Sequence, residues 1–320
     1  MTAELGRRAF LGAAATCGAW TLAALGGATL ETRRLFAAEP RGVPVRTEPW
    51  GRLERVADGV WMLVSTPLGG DHASGAMRTF SNGGIVAGRD GVLAIEGFAT
   101  VDGSRWMAEQ SRRLTGRWPT HVALTHYHGD HAAGLGGYHE NGAVVEILGT
   151  AATRDLLRQK RPEAVLPDSI LAPDQPTELD LGGRRVRITP REGHTASDLT
   201  IEVVDPRVVW CGDLVWIGLF PNFVDATPSR QTAHVRKLLA EPASLWIPGH
   251  GSAARRTDLR GFLALLESVE AGARDAVRRG DPAAAAARQW RPPGALGEWV
   301  RFSDNYYEIA FQAWERELRA

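Results

Sequence analysis

The sequence predicts an α+β fold of two sheets packed back to back with helices outside. Short apolar runs of strand character fall into two sets, and each set is accompanied by segments of helical period. After Trp50 no linker strong enough to split the chain appears. The length of 320 residues accommodates one large layered domain. Its 37 basic and 37 acidic residues cancel, so no global field favours nucleic acid or an anionic membrane. Neither is therefore expected as a partner.

The first 38 residues stand apart from that fold. Arg7-Arg8-Ala9-Phe10-Leu11 sets a twin-arginine pair before a weakly apolar run of Ala and Gly that reaches Leu30. Small residues follow at Ala37-Ala38, which completes the pattern of a secretory signal for twin-arginine export to the periplasm or beyond. A transmembrane anchor is the competing reading. Glycines and threonines dilute the run, and Glu31, Arg33 and Arg34 close it, so no stable anchor is expected once the signal is removed. Cys17, in mid-run after Thr16, is poorly placed for a lipoprotein site. Its removal leaves Cys211 as the sole thiol and excludes an internal disulfide. Residues 39–49, Pro-rich from Arg41 to Pro49, read as a linker or surface strap ahead of a domain covering 50–320.

Strands are expected at Val60–Val64, Gly84–Ala87 and Gly91–Ile95, the last two joined by a hairpin turn at Gly88-Arg89-Asp90-Gly91. Asp102–Leu114 has helical period, with Asp102 or Ser104 as N-cap, and His121–Thr125 is a short apolar strand. The second half continues with a strand at Val144–Leu148 and a helix at Thr150–Lys160. Further strands fall at Leu179–Leu181, Arg185–Thr189, Leu199–Val204, Val208–Trp210 and Leu245–Ile247. Helices are expected at Ser229–Ala240, Thr257–Arg279 and Asn305–Arg319, and the Ala283–Ala287 run suits another.

Directly after the His121–Thr125 strand, His126, His128, Asp130 and His131 crowd one tight turn, to which Gly129 brings backbone freedom. Imidazoles at i and i+2 reach one ion, and the Asp with the third His reaches a second. Imidazole with carboxylate suits zinc best, with manganese or iron also compatible. The turn alone is short of ligands. Gly193-His194-Thr195, Gly212-Asp213-Leu214 and Pro248-Gly249-His250-Gly251 each set a ligand type beside glycine just after an apolar run, which brings five of the nine histidines into one site.

In order and spacing, Thr125-His126-Tyr127-His128-Gly129-Asp130-His131, with the later His194, Asp213 and His250, resembles the metallo-β-lactamase-fold hydrolase superfamily over roughly residues 50–260. The resemblance implies a four-layer αβ/βα sandwich with the site at one edge between the sheets. It implies two zinc ions: His126, His128 and His194 for the first, Asp130, His131 and His250 for the second, and Asp213 bridging. β-Lactam-cleaving members typically have Cys or Ser in the neighbourhood of Asp213. Glyoxalase-II-like thioesterases, lactonases and phosphodiesterases carry the Asp, so the expected activity is that of a general dinuclear hydrolase. A water shared by two cations has its pKa brought from about 15.7 towards neutrality, and the resulting bridging hydroxide attacks the ester-like, thioester, lactone or related bond. Asp130 orients that hydroxide and accepts its proton. Competing readings are a β-lactam hydrolase and a mononuclear iron persulfide dioxygenase of the same fold. The second needs fewer ligands than the intact second trio offers. A scaffold with a vestigial site would show ligand loss, and none of the seven positions is lost.

Other residues admit two readings each. Glu96 ends a strand where the family usually has Asp; it either supports the metal-binding turn or faces solvent. Tyr127 either donates a proton to the leaving group or packs away from the metals. His72, in the Thr66–Ser81 stretch with Gly69, Gly70 and Gly75, is a substrate contact or a solvated loop residue. Trp216, Phe220 and Phe223 form an apolar substrate wall or pack in the core. Cys211 reads as a buried strand residue, and His121, His139 and His234 as structural or surface residues. The segment after Asp213 and the Asn305-Tyr306-Tyr307 region are most similar to exported zinc hydrolases associated with quinoprotein dehydrogenase systems, which names no substrate.

Overall fold

The structure, a computed structural model, describes residues 40–65, 78–140 and 145–320. Residues 1–39, where the export signal and Cys17 were read, the 66–77 stretch with His72, and Val144 lie outside the described residues. Eight strands form one sheet in chain order: β1 (Val43–Glu48), β2 (Gly51–Ala57), β3 (Val60–Val64), β4 (Gly83–Ala87), β5 (Val92–Ile95), β6 (His121–Ala123), β7 (Glu146–Thr150) and β8 (Ser169–Leu171). Pairing is antiparallel from β1 to β5 and parallel from β5 to β8. Parallel neighbours need crossovers, and α1 (Val101–Thr115) and α3 (Ala151–Lys160) provide two of them. Between them lies α2 (Gly129–Ala132), a single turn.

The second sheet contains β9 (Thr177–Asp180), β10 (Arg185–Pro190), β11 (Leu199–Val203), β12 (Val208–Ile217) and β13 (Leu245–Gly251), in the order β13-β12-β11-β10-β9. β12 and β13 are parallel and are joined through α4 (Pro228–Ala240). The chain ends in α5 (Arg256–Arg279), α6 (Ala283–Gln289) and α7 (Tyr306–Arg319). Among the described residues no helix is long and apolar enough to cross a membrane.

Three apolar clusters define the four layers. One joins Met62, Val86 and Ile95 of the first sheet to Val186, Ile188 and Ile201 of the second. Another packs Trp106 and Met107 of α1 and Leu157 of α3 on the outer face of the first sheet. The third packs Leu238 of α4, Phe262 and Leu266 of α5, and Phe311 and Trp314 of α7 outside the second sheet. β3 and β5 are covered on both faces, so they read as unbroken apolar runs, whereas β10 alternates. Trp210 reaches across the sandwich: its Nε1 donates to the Gly83 carbonyl at 2.8 Å. A Cβ on Gly84 would lie 2.4 Å from its ring, so the glycine leaves room for the indole.

Several boundaries differ from the sequence reading. The Arg41–Pro49 stretch carries the exposed edge strand β1, whose proline falls beside a register shift. Buried Glu54 anchors its start by accepting from the Arg41 and Gly42 amides at 2.9 and 2.8 Å and from Arg52 Nε at 2.6 Å. β2 and β8 are strands that the pattern did not reveal. The N-cap of α1 is Thr100, not Asp102 or Ser104: its hydroxyl accepts from the Gly103 amide at 3.1 Å. β12 and β13 run well past Trp210 and Ile247, after register irregularities near Gly212. Asp213 and His250 therefore lie within strands instead of beyond them.

Asn82 ties the two sheets together beside the site. Its Nδ2 donates to the carbonyls of Pro248 and Gly251, each at 2.9 Å, and its Oδ1 accepts from Ser65 N at 2.8 Å. All of these groups are buried, so truncation strands several at once. Asn82→Ala is expected to lower the unfolding free energy by about 2–4 kcal/mol in denaturant titration. A loss near zero would show that Asn82 is not the tie.

Candidate metal centre

All seven predicted ligands converge at the edge of the sandwich, and they come from both sheets. His126 and His128 follow β6, Asp130 and His131 lie in α2, His194 lies in the β10–β11 turn, Asp213 lies in β12, and His250 lies in β13. Ligand atoms of His126, His128, His194 and Asp213 fall within 4.8 Å of one another, and so do those of Asp130, His131 and His250. His126, His131, His194, Asp213 and His250 are buried.

Asp213 stands between the two sets. Its Oδ2 is 3.4 Å from His194 Nε2 and 3.9 Å from His126 Nε2. Its Oδ1 is 3.2 Å from His131 Nε2 and 3.4 Å from His250 Nε2. His128 Nδ1 lies 3.1 Å from His126 Nε2 and 3.0 Å from His194 Nε2, and Asp130 Oδ2 lies 3.1 Å from His250 Nε2. A tetrahedral ion with bonds of about 2.0–2.1 Å separates its ligands by about 3.3 Å, the spacing that these atoms show. His131 Nε2 and Asp213 Oδ1 are buried without a hydrogen-bond partner despite their proximity, as atoms facing a cation would be. The donor set therefore fits two divalent cations.

Close backbone approach makes this convergence possible at two glycines. A Cβ on Gly249 would stand 1.8 Å from Asp213 Oδ1. Gly212, with φ of +52°, passes so close to Thr125 that a Cβ would meet its Oγ1 at 2.5 Å. Gly129 plays a different part from the expected one. It is not among the residues of positive φ; it opens α2, where a Cβ would lie 2.0 Å from the Arg161 guanidinium.

Other side chains hold the rings in the required tautomers. Buried Glu96 has φ of +80°, which turns the chain out of β5. Its Oε1 accepts from Thr125 Oγ1 at 2.5 Å and from His131 Nδ1 at 3.0 Å, and its Oε2 accepts from the Thr125 amide at 3.2 Å. Of its two readings, support of the metal-binding turn is the one observed. Thr125 Oγ1 also lies 3.1 Å from His126 Nδ1, so a His126–Thr125–Glu96 chain directs His126 Nε2 to the centre.

Asp225 does the same for His128, and the sequence reading missed it. Its Oδ2 lies 3.0 Å from His128 Nε2, which leaves Nδ1 for the site, and it also accepts from Tyr127 Oη. Lys160 Nζ donates to Tyr127 Oη at 2.5 Å. Tyr127 thus lies against His128, with ring centroids 4.6 Å apart, and its hydroxyl is engaged by Asp225 and Lys160. Nothing in the spacing marks a carboxylate 97 residues from its histidine. The signal was a requirement only: a ring bound through Nδ1 needs an acceptor for its other N–H.

Asp198 shapes the His194 turn by accepting from Thr195 N at 2.9 Å and Thr195 Oγ1 at 2.6 Å. Burial pushes its carboxyl up to about 8, against the pull of those bonds. Burial also drives His194 down to about 4 and holds His126 well below its ordinary value. At His250 burial is outweighed by Asp213 and Asp130, which bring the ring up to about 9. The second set therefore binds protons in competition with a cation.

The remaining candidates separate clearly. Trp216 lies against His250, with ring centroids 4.3 Å apart. Phe220 and Phe223 belong to the core under the C-terminal helices. Cys211 is buried, its Sγ 3.6 Å from the Val209 carbonyl, and burial pushes the thiol up. His121 pairs with Glu146 at 3.4 Å, His139 is exposed, and His234 is half-buried on α4.

The sequence profile of the metallo-beta-lactamase superfamily matches residues 76–260. The chain belongs to that superfamily. It is a metal-dependent hydrolase by family. It is 25% identical over 236 residues to the 2,4-dinitroanisole O-demethylase subunit alpha of Nocardioides sp. (strain JS1661), covering 73% of this chain and 67% of that one. It is 34% identical over 132 residues to a hydroxyacylglutathione hydrolase of Acidiphilium cryptum, 40% of this chain and 49% of the relative. A second hydroxyacylglutathione hydrolase, from Cereibacter sphaeroides, is 30% identical over 146 residues, so the match spans about half of each such enzyme. Among solved structures, metallo-beta-lactamases from Pontibacter korlensis and Erythrobacter litoralis superpose with TM-scores of 0.58 and 0.57. Their identities are 19% and 18%, with 68% and 70% of this chain and 99% of each neighbour covered, and the likeness is one of fold.

Asp225→Asn keeps the shape at His128 and removes the charge that orients its ring. It is expected to weaken zinc binding about 10–100-fold, read by competition with a chromophoric chelator. Unchanged affinity would remove Asp225 from the support of the centre.

Proposed function

We propose that the chain is an exported dinuclear zinc hydrolase that cleaves an ester-like, thioester, lactone or related bond in a small molecule. The observation that carries the reading is Asp213, whose two oxygens face two separate ligand sets at 3.2–3.9 Å. His126, His128 and His194 would hold the first ion, and Asp130, His131 and His250 the second, with Asp213 standing between the two sets. Paired divalent cations there supply a water ionised near neutrality and a Lewis acid for the carbonyl oxygen. Glu96, Thr125 and Asp225 keep the rings aimed. Asp130 is the more open of the two carboxylates, its side chain 24% exposed against 4% for Asp213. It is thus placed to orient the attacking water, take its proton and return it to solvent. The relatives named hydroxyacylglutathione hydrolases support cleavage of an acyl bond. The twin-arginine pair Arg7-Arg8 and its apolar run support export to the periplasm.

Zinc-loaded protein is expected to carry about two zinc ions per chain and to turn over a member of a panel of thioesters, lactones, β-lactams, phosphodiesters and sulfate esters. Asp130→Ala should lower kcat by about 10²–10⁴-fold while the circular dichroism melt stays cooperative. One iron per chain, or unchanged turnover in the variant, would sink the reading.

Replacement of both Arg7 and Arg8 by Lys should leave the precursor in the cytoplasm, as judged by cell fractionation. Equal periplasmic accumulation would overturn the export route.

A further inference from the structure

Three aromatic rings gather around His250 from outside the ligand set. Trp216 lies 4.3 Å from it between centroids, Phe80 5.9 Å and Phe302 6.0 Å. Phe302 is in turn 5.9 Å from Phe80 and 6.1 Å from Trp216, so the rings form one continuous surface. Trp216 is buried, and its Nε1–H is fixed on the Asp213 carbonyl at 3.1 Å. Phe80 and Phe302 are only half-buried, although both are large and apolar.

Both outer rings are held there by specific backbone. Phe80 has φ of +68°, which is disfavoured for a bulky residue and persists only where its surroundings enforce it. The enforcement is visible on both sides: the Thr79 carbonyl accepts from the Ala99 amide at 3.1 Å, and Ser81 Oγ donates to the Asp130 carbonyl at 2.7 Å. Phe302 is delivered by the C-terminal segment. Val300 bridges Leu219 in parallel, accepting from the Phe220 amide at 2.8 Å and donating to the Gly218 carbonyl at 3.1 Å. Further along, Tyr306 is buried, and after burial it is Asp130 and Asp213 that raise its hydroxyl above the ordinary range. The segment from Val300 to Tyr306 thus brings Phe302 to the side of His250, and it lies beyond residue 260, where the family match ends.

We infer that Phe80 and Phe302, backed by the buried Trp216, form a recognition wall for a neutral, flat aromatic group that the substrate carries next to the scissile bond. The inference rests on the hydrolase reading above and adds a substrate class to it. Ring faces and edges favour offset or edge-on partners over saturated ones of similar size. The three side chains bear no charge, so nothing on the wall pairs with an ionised substituent.

The test compares benzyl acetate with cyclohexylmethyl acetate, which share the acyl group and differ in aromaticity at similar size. Zinc-loaded wild type is expected to favour the benzyl ester about three- to ten-fold in kcat/KM. Phe302→Leu keeps apolar bulk and removes the ring, so it should collapse that ratio towards one through KM with the zinc content retained. Equal kcat/KM for both esters in wild type would overturn the wall, as would a ratio preserved in both Phe302→Leu and Phe302→Ala. If wild type cleaves neither ester, the hydrolase reading is what fails for this bond. NMR titration of the zinc-loaded proteins with benzyl alcohol then judges the wall separately. Weaker binding in Phe302→Leu supports it, and equal binding or none overturns it.

Discussion

A buried carboxylate between two facing sets of imidazoles is the constraint on which the rest of this structure turns. Asp213 is removed from water, and burial alone would favour its neutral form. The cost is offset by histidines facing both of its oxygens, so neither ligand set can be moved without leaving the carboxylate uncompensated. His131 and His250 on one side and His126 and His194 on the other are as much the environment of Asp213 as it is theirs.

That constraint explains why the site sits at a seam between sheets. No single strand or turn can surround a carboxylate with ligands on two sides. β6 and α2 contribute from one sheet, and β12, β13 and the β10–β11 turn from the other. Asn82 then joins the sheets at the backbone flanking His250, and Trp210 bonds across them to Gly83. Packing and chemistry share the same contacts here, since loss of the tie between Asn82 and the Pro248–Gly251 backbone would shift His250 as well.

Much of the centre was legible in the sequence because ligand chemistry is dense and local. His126 to His131 fall in six residues, and the later ligands are marked by neighbouring glycines that a close approach demands. The layered fold was legible too, since strands covered on both faces must be apolar throughout. Partners defined by tertiary distance were not. Asp225, Asn82 and Asp198 are ordinary polar residues in sequence and acquire roles only when the sheets come together. Strand ends failed for a related reason: Asp213 and His250 follow apolar runs, yet parallel pairing of β12 with β13 carries both strands past their ligands. Glu96 was ambiguous because its reach depends on a left-handed backbone that no pattern of residue types reveals.

The division between the common core and the C-terminal segment also separates two physical tasks. The seven candidate metal ligands all lie before residue 251, inside the region shared with the superfamily, and such a set can specify only a polarised bond and an activated water. Recognition of what is attached to that bond requires apolar surface near the ligands, and His250 is the ligand that offers it. Its ring lies against Trp216, and Trp216 in turn meets Phe302 from outside the shared region. On the proposed reading, this contact between a candidate ligand and the C-terminal segment would let substrate choice change with the ligand geometry left in place. The strained backbone at Phe80 fits that division, because left-handed φ in a bulky residue is retained where side-chain direction matters more than local stability.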